Sequence, residues 1–206
     1  VELATFLRGL VIGLSIAAPV GPIGVLCIRR TLADGRAVGF ASGLGAATAD
    51  ALYGAVAAFG LSLVTNALVE QRAWLQGAGG MFLCYLGVRT WMAVPRPASA
   101  ATGGGGGLTT AWASTFALTL TNPTTIVSFA AIFAGLGLGQ TAGGYGAASL
   151  MVLGVFLGSA AWWLILSTGV GLLRSSFTPD RLRWVNRAAG SIIAAFGVAA
   201  LATLRW

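Results

Sequence analysis

Histidine and lysine are both absent from this 206-residue chain, and all twelve basic residues are arginines. The first absence removes imidazole as a general base and as a metal ligand. Charge of either sign is scarce: charged residues make up 8% of the chain, with only five acids. A soluble domain would carry about 25%. With 57% hydrophobic residues and a mean hydropathy of +0.87, the composition is that of a membrane protein. Two cysteines, Cys27 and Cys84, lie in apolar segments without CxxC spacing, which excludes a disulfide framework. The net charge of +7 does not mark a nucleic-acid surface, because the arginines stand at the ends of apolar runs.

The chain has six apolar runs, approximately Leu3–Ile28, Ala37–Val64, Trp74–Val94, Ala111–Leu138, Tyr145–Leu173 and Trp184–Leu204. Each is near or above the ~20 residues needed to span a bilayer. The first is read as a retained helix, not a signal peptide, since Glu2 precedes Arg8 and no cleavage site is evident. The second is dense in small residues (Ser42, Gly43, Gly45, Ala46, Ala49), so it is expected inside the bundle. Arg29, Arg30, Arg36, Arg89, Arg96, Arg174, Arg181, Arg183 and Arg187 fall in the odd-numbered loops, leaving Arg8, Arg72 and Arg205 opposite. This asymmetry places the odd loops in the cytoplasm and both termini outside. Trp74, Trp91, Trp112, Trp184 and Trp206 stand at span ends and read as interfacial anchors.

Residues 95–110 form a glycine-rich connection ending near a run of five glycines. A phosphate-binding loop would need a following Lys-Ser/Thr and a strand–helix context, so this segment reads as a cytoplasmic linker. It separates residues 1–94 from 111–206, and the halves align. Trp74 to Gly80 sets against Trp184 to Gly190, Gly87-Val88 against Gly197-Val198, and Gly45–Asp50–Tyr53 against Gly154–Ser159–Trp162; with a modest shift, Gly21-Pro22 sets against Asn122-Pro123. Three matches in one order favour a duplicated three-helix unit. An odd number of spans inverts the second unit. The expected fold is therefore an all-α integral membrane protein: six transmembrane helices in two inverted three-helix repeats, each with an interrupted first helix.

Pro19, Gly21 and Pro22 cannot sit in an unbroken helix, because each proline removes a donor and clashes with an earlier carbonyl. Gly21-Pro22 and Asn122-Pro123 are helix-start signals inside membrane segments. The new N-termini present amides and a partial positive charge at mid-depth, which suit a carboxylate, and Thr121, Thr124 and Thr125 add hydroxyls. The structural alternative is a pair of ordinary proline kinks. Asp50 is the only acid deep inside a span. A charge there costs about 2.5–3.5 kcal/mol on insertion scales, so it calls for a cavity, a partner or a proton. Low-dielectric surroundings favour a neutral carboxyl and an arriving ammonium favours the charged form, the coupling that proton–substrate exchange requires. The alternative is an aspartate bonded only to neighbouring hydroxyls. Tyr53, one turn on, is placed to hydrogen-bond a ligand. Trp162, with Trp163, is placed to wall a pocket or bind an ammonium, and Ser159 stands opposite Asp50 in the repeat.

The run Ala18-Pro-Val-Gly-Pro-Ile-Gly24, then Arg29-Arg-Thr-Leu, then Gly43-Leu-Gly-Ala-Ala-Thr-Ala-Asp50-Ala-Leu-Tyr53-Gly resembles the LysE-type amino-acid exporters. Leu120-Thr-Asn-Pro123 and Gly158-Ser159 through Trp162-Trp163 resemble the same family. The break here is Pro-Val-Gly-Pro where many relatives have Pro-Gly-Pro. The resemblance implies a bacterial inner-membrane exporter of amino acids, basic or small neutral, driven by an ion gradient. It supports Asp50 and both proline breaks as the transport site. With no P-loop in the sequence, the energy is expected from a gradient or from a further partner, and the Asp50 chemistry makes protons the expected coupling ion. The expectation is thus a secondary antiporter, not an enzyme, needing no cofactor and no nucleic acid, with the lipid bilayer around it and a homodimer as a possible assembly. Two rivals stand beside it. A transmembrane thiol-disulfide carrier needs cysteines that meet, yet the repeat pairs Cys27 with Ser128 and Cys84 with Ala194. A divalent-metal exporter lacks an evident ligand set.

Overall fold

A computed structural model of the chain describes residues 2–19, 21–59, 71–94, 105–122, 125–126, 128–129, 144–176 and 178–203. Among these residues the regular structure is all helical: α1 (Glu2–Ala17), α2 (Pro22–Asp34), α3 (Arg36–Ala58), α4 (Arg72–Trp91), α5 (Gly105–Leu120), α6 (Gly144–Leu173) and α7 (Pro179–Ala202), with one 3₁₀ turn at Arg174–Ser176. Two helices, Gly144–Leu173 and Asp180–Ala202, are individually long and apolar enough to cross a membrane. The α1–α2 pair meets that condition jointly, bent by 80° at its break.

Local chemistry sets the helix boundaries. The α1 helix stops at Ala17 because Ala18 precedes a proline, which disfavours helical geometry. Gly21 is extended (φ −104°, ψ −163°) and Pro22 takes the first helical position of α2, where its missing amide costs nothing. Gly35 ends α2 at φ 106°, ψ 166°, a region open essentially to glycine, and its amide donates to the carbonyls of Arg30 and Thr31. The α7 helix opens with Thr178, whose side chain accepts from the Arg181 amide, followed by Pro179 and then Asp180 in the first turn.

These boundaries alter two sequence expectations. Arg29 and Arg30 do not lie in a loop; they sit within α2, and Gly35 alone links α2 to α3. The protein provides their partners. The Arg30 guanidinium donates to Ser42 Oγ (2.9 Å), Thr115 Oγ1 (2.9 Å), Ser114 Oγ (2.9 Å) and the Ala111 carbonyl (3.1 Å). Arg29 donates to Asn186 Oδ1 (2.9 Å) and pairs with Asp34 (3.2 Å), while Arg174 donates to the Leu32 and Ala33 carbonyls at the end of α2. Three arginines therefore fasten one end of α2 to α3, α5, α6 and α7. The linker expected over 95–110 is helical from Gly105 onward; residues 95–104 lie outside the described residues, as does Trp206.

Four helix pairings dominate the packing: α1 on α6, α3 on α5, α3 on α6, and α4 on α7. Small residues allow the approach. The α3 helix buries Gly39, Ser42, Gly43, Gly45, Ala46, Ala47, Ala49 and Asp50, which is the interior placement its composition predicts. In the α4–α7 pair the contacts are reciprocal. A Cβ on Gly87 would lie 2.6 Å from the Ala194 amide nitrogen, and one on Gly197 would lie 2.7 Å from the Cys84 amide nitrogen. Likewise Gly80 abuts the Gly197 carbonyl and Gly190 the Gly87 carbonyl. Each contact maps onto the other by the alignment that sets Trp74 against Trp184. At one end of this pair the Arg187 guanidinium lies 5.4 Å from the Trp91 ring centroid and 5.9 Å from that of Trp184, and both indoles are at least half exposed.

Reciprocal crowding carries an energetic consequence. Gly87→Ala and Gly197→Ala are each expected to destabilise the protein by about 1–3 kcal/mol, the usual cost of overpacking. Gly146→Ala, on an exposed helical position with open space around it, is expected to stabilise by roughly 0.5–1 kcal/mol. Thermal unfolding of the purified protein in detergent tests both signs.

Candidate functional site

A cavity of about 450 Å³ opens where the helices break. Pro19, Gly21 and Pro22 line it from the α1–α2 break, Asp50 from α3, and Thr121 and Asn122 from the end of α5. The α4–α7 pair supplies a further wall, including Gln76, Leu83, Phe196 and Thr203. Pro123 and Thr124, the rest of the second break as read from the sequence, lie outside the described residues.

The two breaks share a backbone pattern. The Gly21 carbonyl accepts from the Val25 amide (3.0 Å), and the Asn122 carbonyl accepts from the Ile126 amide (3.2 Å). In each case the carbonyl of the residue before the proline accepts from the amide four positions on. At the first break, the amides of Ile23 and Gly24 have no acceptor within the helix. No side chain caps α2, and both residues line the cavity. Backbone donors and the positive end of a helix are thus presented to the cavity.

Asp50 is 3% exposed and is the only ionisable residue among the described lining residues. Its Oδ2 accepts from Ser159 Oγ (2.7 Å), and that oxygen in turn accepts from Trp163 Nε1 (3.2 Å). Asp50 and Ser159 are the two positions that the internal alignment sets against each other, and here they touch.

The remaining expected residues divide by role. Tyr53 does not line the cavity; its hydroxyl donates to the Leu120 carbonyl (2.6 Å) and its ring lies 5.6 Å from that of Phe129. This carbonyl is one that the end of α5 leaves without a helical donor, so Tyr53 completes the backbone at the second break. Ser159 orients Asp50 from behind. Trp162 packs against the core, and its neighbour Trp163, 4% exposed, is the indole that lines the cavity. The internal alignment sets Trp162, not Trp163, against Tyr53; helical rotation decides between adjacent residues. Gln76, Thr119, Ser128 and Phe196 were not singled out. Gln76 carried a usable signal as an amide in an apolar run; its Nε2 donates to the Ala200 carbonyl (2.7 Å). Cys27 is fully buried in the core and Cys84 is partly buried; both are free thiols.

Apolar helices and a solute-sized cavity at a helix break point to a membrane protein. Comparison with known proteins gives the family. The family model described as LysE type translocator matches residues 14–203. The chain is also 31% identical over 196 residues to a Bacillus subtilis (strain 168) protein named "Putative amino acid efflux protein YcgF", covering 93% of this chain and 92% of that one. No solved structure matches the chain. The chain belongs to the LysE type translocator family.

The Tyr53 contact generates a test. Tyr53→Phe keeps the ring and leaves a buried carbonyl without its donor, at a cost of about 1–3 kcal/mol. Tyr53→Leu adds loss of the aromatic contact. Thermal melts should rank wild type above Tyr53→Phe and that above Tyr53→Leu; a Tyr53→Phe melt equal to wild type would show that Leu120 needs no such partner.

Proposed function

We propose that the protein exports amino acids across the bacterial inner membrane as a proton-coupled secondary antiporter. The observation that carries this reading is the cavity itself, where the lone acid Asp50 and both helix breaks share one space. Family membership and the named efflux relative support the substrate class. In this mechanism the substrate carboxylate sits on the α2 N-terminus at Ile23 and Gly24, and on the helical restart at Asn122. Its ammonium meets Asp50. Asp50 carries a proton while the cavity holds no substrate and releases it as the ammonium arrives, so substrate and proton occupy the site alternately and travel in opposite senses. Ser159 holds the carboxylate in the rotamer that receives the cation.

The architecture proposed is two inverted three-helix units, 1–94 and 111–206, joined by the glycine-rich segment 95–110. Support comes from the packing. Exchanging the two units converts the α1–α6 contact into the α5–α3 contact and returns the α4–α7 and α3–α6 contacts to themselves. The reciprocal glycines of α4 and α7, and the touching pair Asp50 and Ser159, are what a pseudo-two-fold axis produces. Rocking of the units about that axis would alternate access to the cavity. Arginines at one end of the bundle (Arg29, Arg30, Arg174, Arg187) favour that end as cytoplasmic and the termini as external.

Efflux of labelled amino acid from loaded proteoliposomes tests the reading. A hydrogen bond to a charged group contributes ~1.5–3 kcal/mol, so Asp50→Asn should slow efflux by about ten- to a hundredfold and abolish its dependence on a pH gradient. Full, gradient-dependent efflux in Asp50→Asn would exclude the role assigned to this residue.

A further inference from the structure

The cavity's charge inventory bears on which amino acids fit it, an inference that rests on the placement of ammonium at Asp50 and carboxylate at the helix break. Once those two groups are paired, the described lining residues offer no further ionisable partner. The hydrogen-bonding side chains that remain are Gln76, Thr119, Thr121, Asn122, Thr125, Ser128 and Thr203, all neutral. The α4–α7 pair lines the same cavity, where Leu83, Phe196, Ala199 and Ala200 present hydrocarbon beside the neutral Gln76 and Thr203. Phe196 is 44% exposed despite its size. This is a surface suited to an uncharged, largely apolar side chain.

We infer that the substrate is a neutral amino acid with a medium-sized apolar side chain, and that basic and acidic amino acids are rejected. Lysine or arginine would bring two cations to one carboxylate. The second would lie unpaired against the α4–α7 wall at bilayer depth, where an uncompensated charge is penalised on the order of a hundredfold in occupancy. Glutamate fails for the opposite reason: its second carboxylate meets either the same apolar wall or Asp50 itself. The α-ammonium and α-carboxylate escape the penalty because the protein supplies a counter-charge to each, the Asp50 carboxylate and the amides at the start of α2. Selectivity therefore lies in the wall facing Asp50, and a single acid introduced there should invert it.

The test is a competition panel in proteoliposomes. Exchange of labelled leucine is measured with unlabelled leucine, methionine, valine, lysine, arginine or glutamate in excess, for wild type, Asp50→Asn and Ala200→Glu. Neutral apolar competitors should displace the label at concentrations at least tenfold below lysine, arginine or glutamate. Ala200→Glu should reverse that order toward lysine. Lysine or arginine competing as well as leucine in the wild type, through a flux that Asp50→Asn abolishes, would overturn this inference and leave Asp50 as the ammonium site. Leucine exchange unaffected by Asp50→Asn would overturn the underlying placement and the inference with it, as would no leucine exchange at all. The wild-type panel decides the matter even where Ala200→Glu fails to fold.

Discussion

A helix broken at bilayer depth leaves backbone groups that lipid cannot satisfy, and the protein must provide partners or water for each one. Much of this structure follows from that constraint. At the end of α5 the Tyr53 hydroxyl takes up the Leu120 carbonyl. At the end of α2 the Gly35 amide and the Arg174 guanidinium take up the last carbonyls. At the start of α2 the amides are left facing a cavity instead. Donors are thus withheld from structural use at the place where, in the proposed function, a carboxylate would be bound.

Asp50 meets the same constraint in side-chain form. It stays within α3 among small residues, held by one hydroxyl from α6 and open to the cavity. The contrast with Arg30 is instructive. That guanidinium is distributed over three hydroxyls and a carbonyl from α3 and α5, so its hydrogen bonds join helices. Among the described residues Ser159 donates the hydrogen bond that holds Asp50, which otherwise faces the space it lines, an arrangement suited to a group whose partner comes and goes. The half-helix α2 links the two, with the cavity at its N-terminus and the arginine cluster at its C-terminus.

Much of this was legible in the sequence, because its strongest signals are physical prohibitions. Pro19 and Pro22 forbid a continuous helix, and a break stands there. Asp50 in an apolar run demands a cavity or partner, and it has both. The small residues of α3 require close neighbours, and α3 packs on both α5 and α6. What stayed hidden depends on rotation and three-dimensional proximity. Trp162 and Trp163 are indistinguishable by composition, yet only the second turns to the cavity. Tyr53 looked like a ligand contact because the carbonyl it serves lies 67 positions away in the chain. Arg29 and Arg30 looked like loop charges because Asn186 on α7, which Arg29 bonds, and the α5 hydroxyls that Arg30 bonds lie beyond any local pattern. Gly105–Leu120 starts inside a glycine run, against the poor intrinsic helix propensity of that residue.

The central claim is that Asp50 exchanges a proton for the substrate's ammonium inside this cavity. The most direct measurement is proton release on substrate binding, read as a pH change in weakly buffered, detergent-solubilised protein. The account predicts that each substrate bound releases a proton from wild type and none from Asp50→Asn. Tight substrate binding to wild type without proton release across the range of pH where the protein is folded would contradict it.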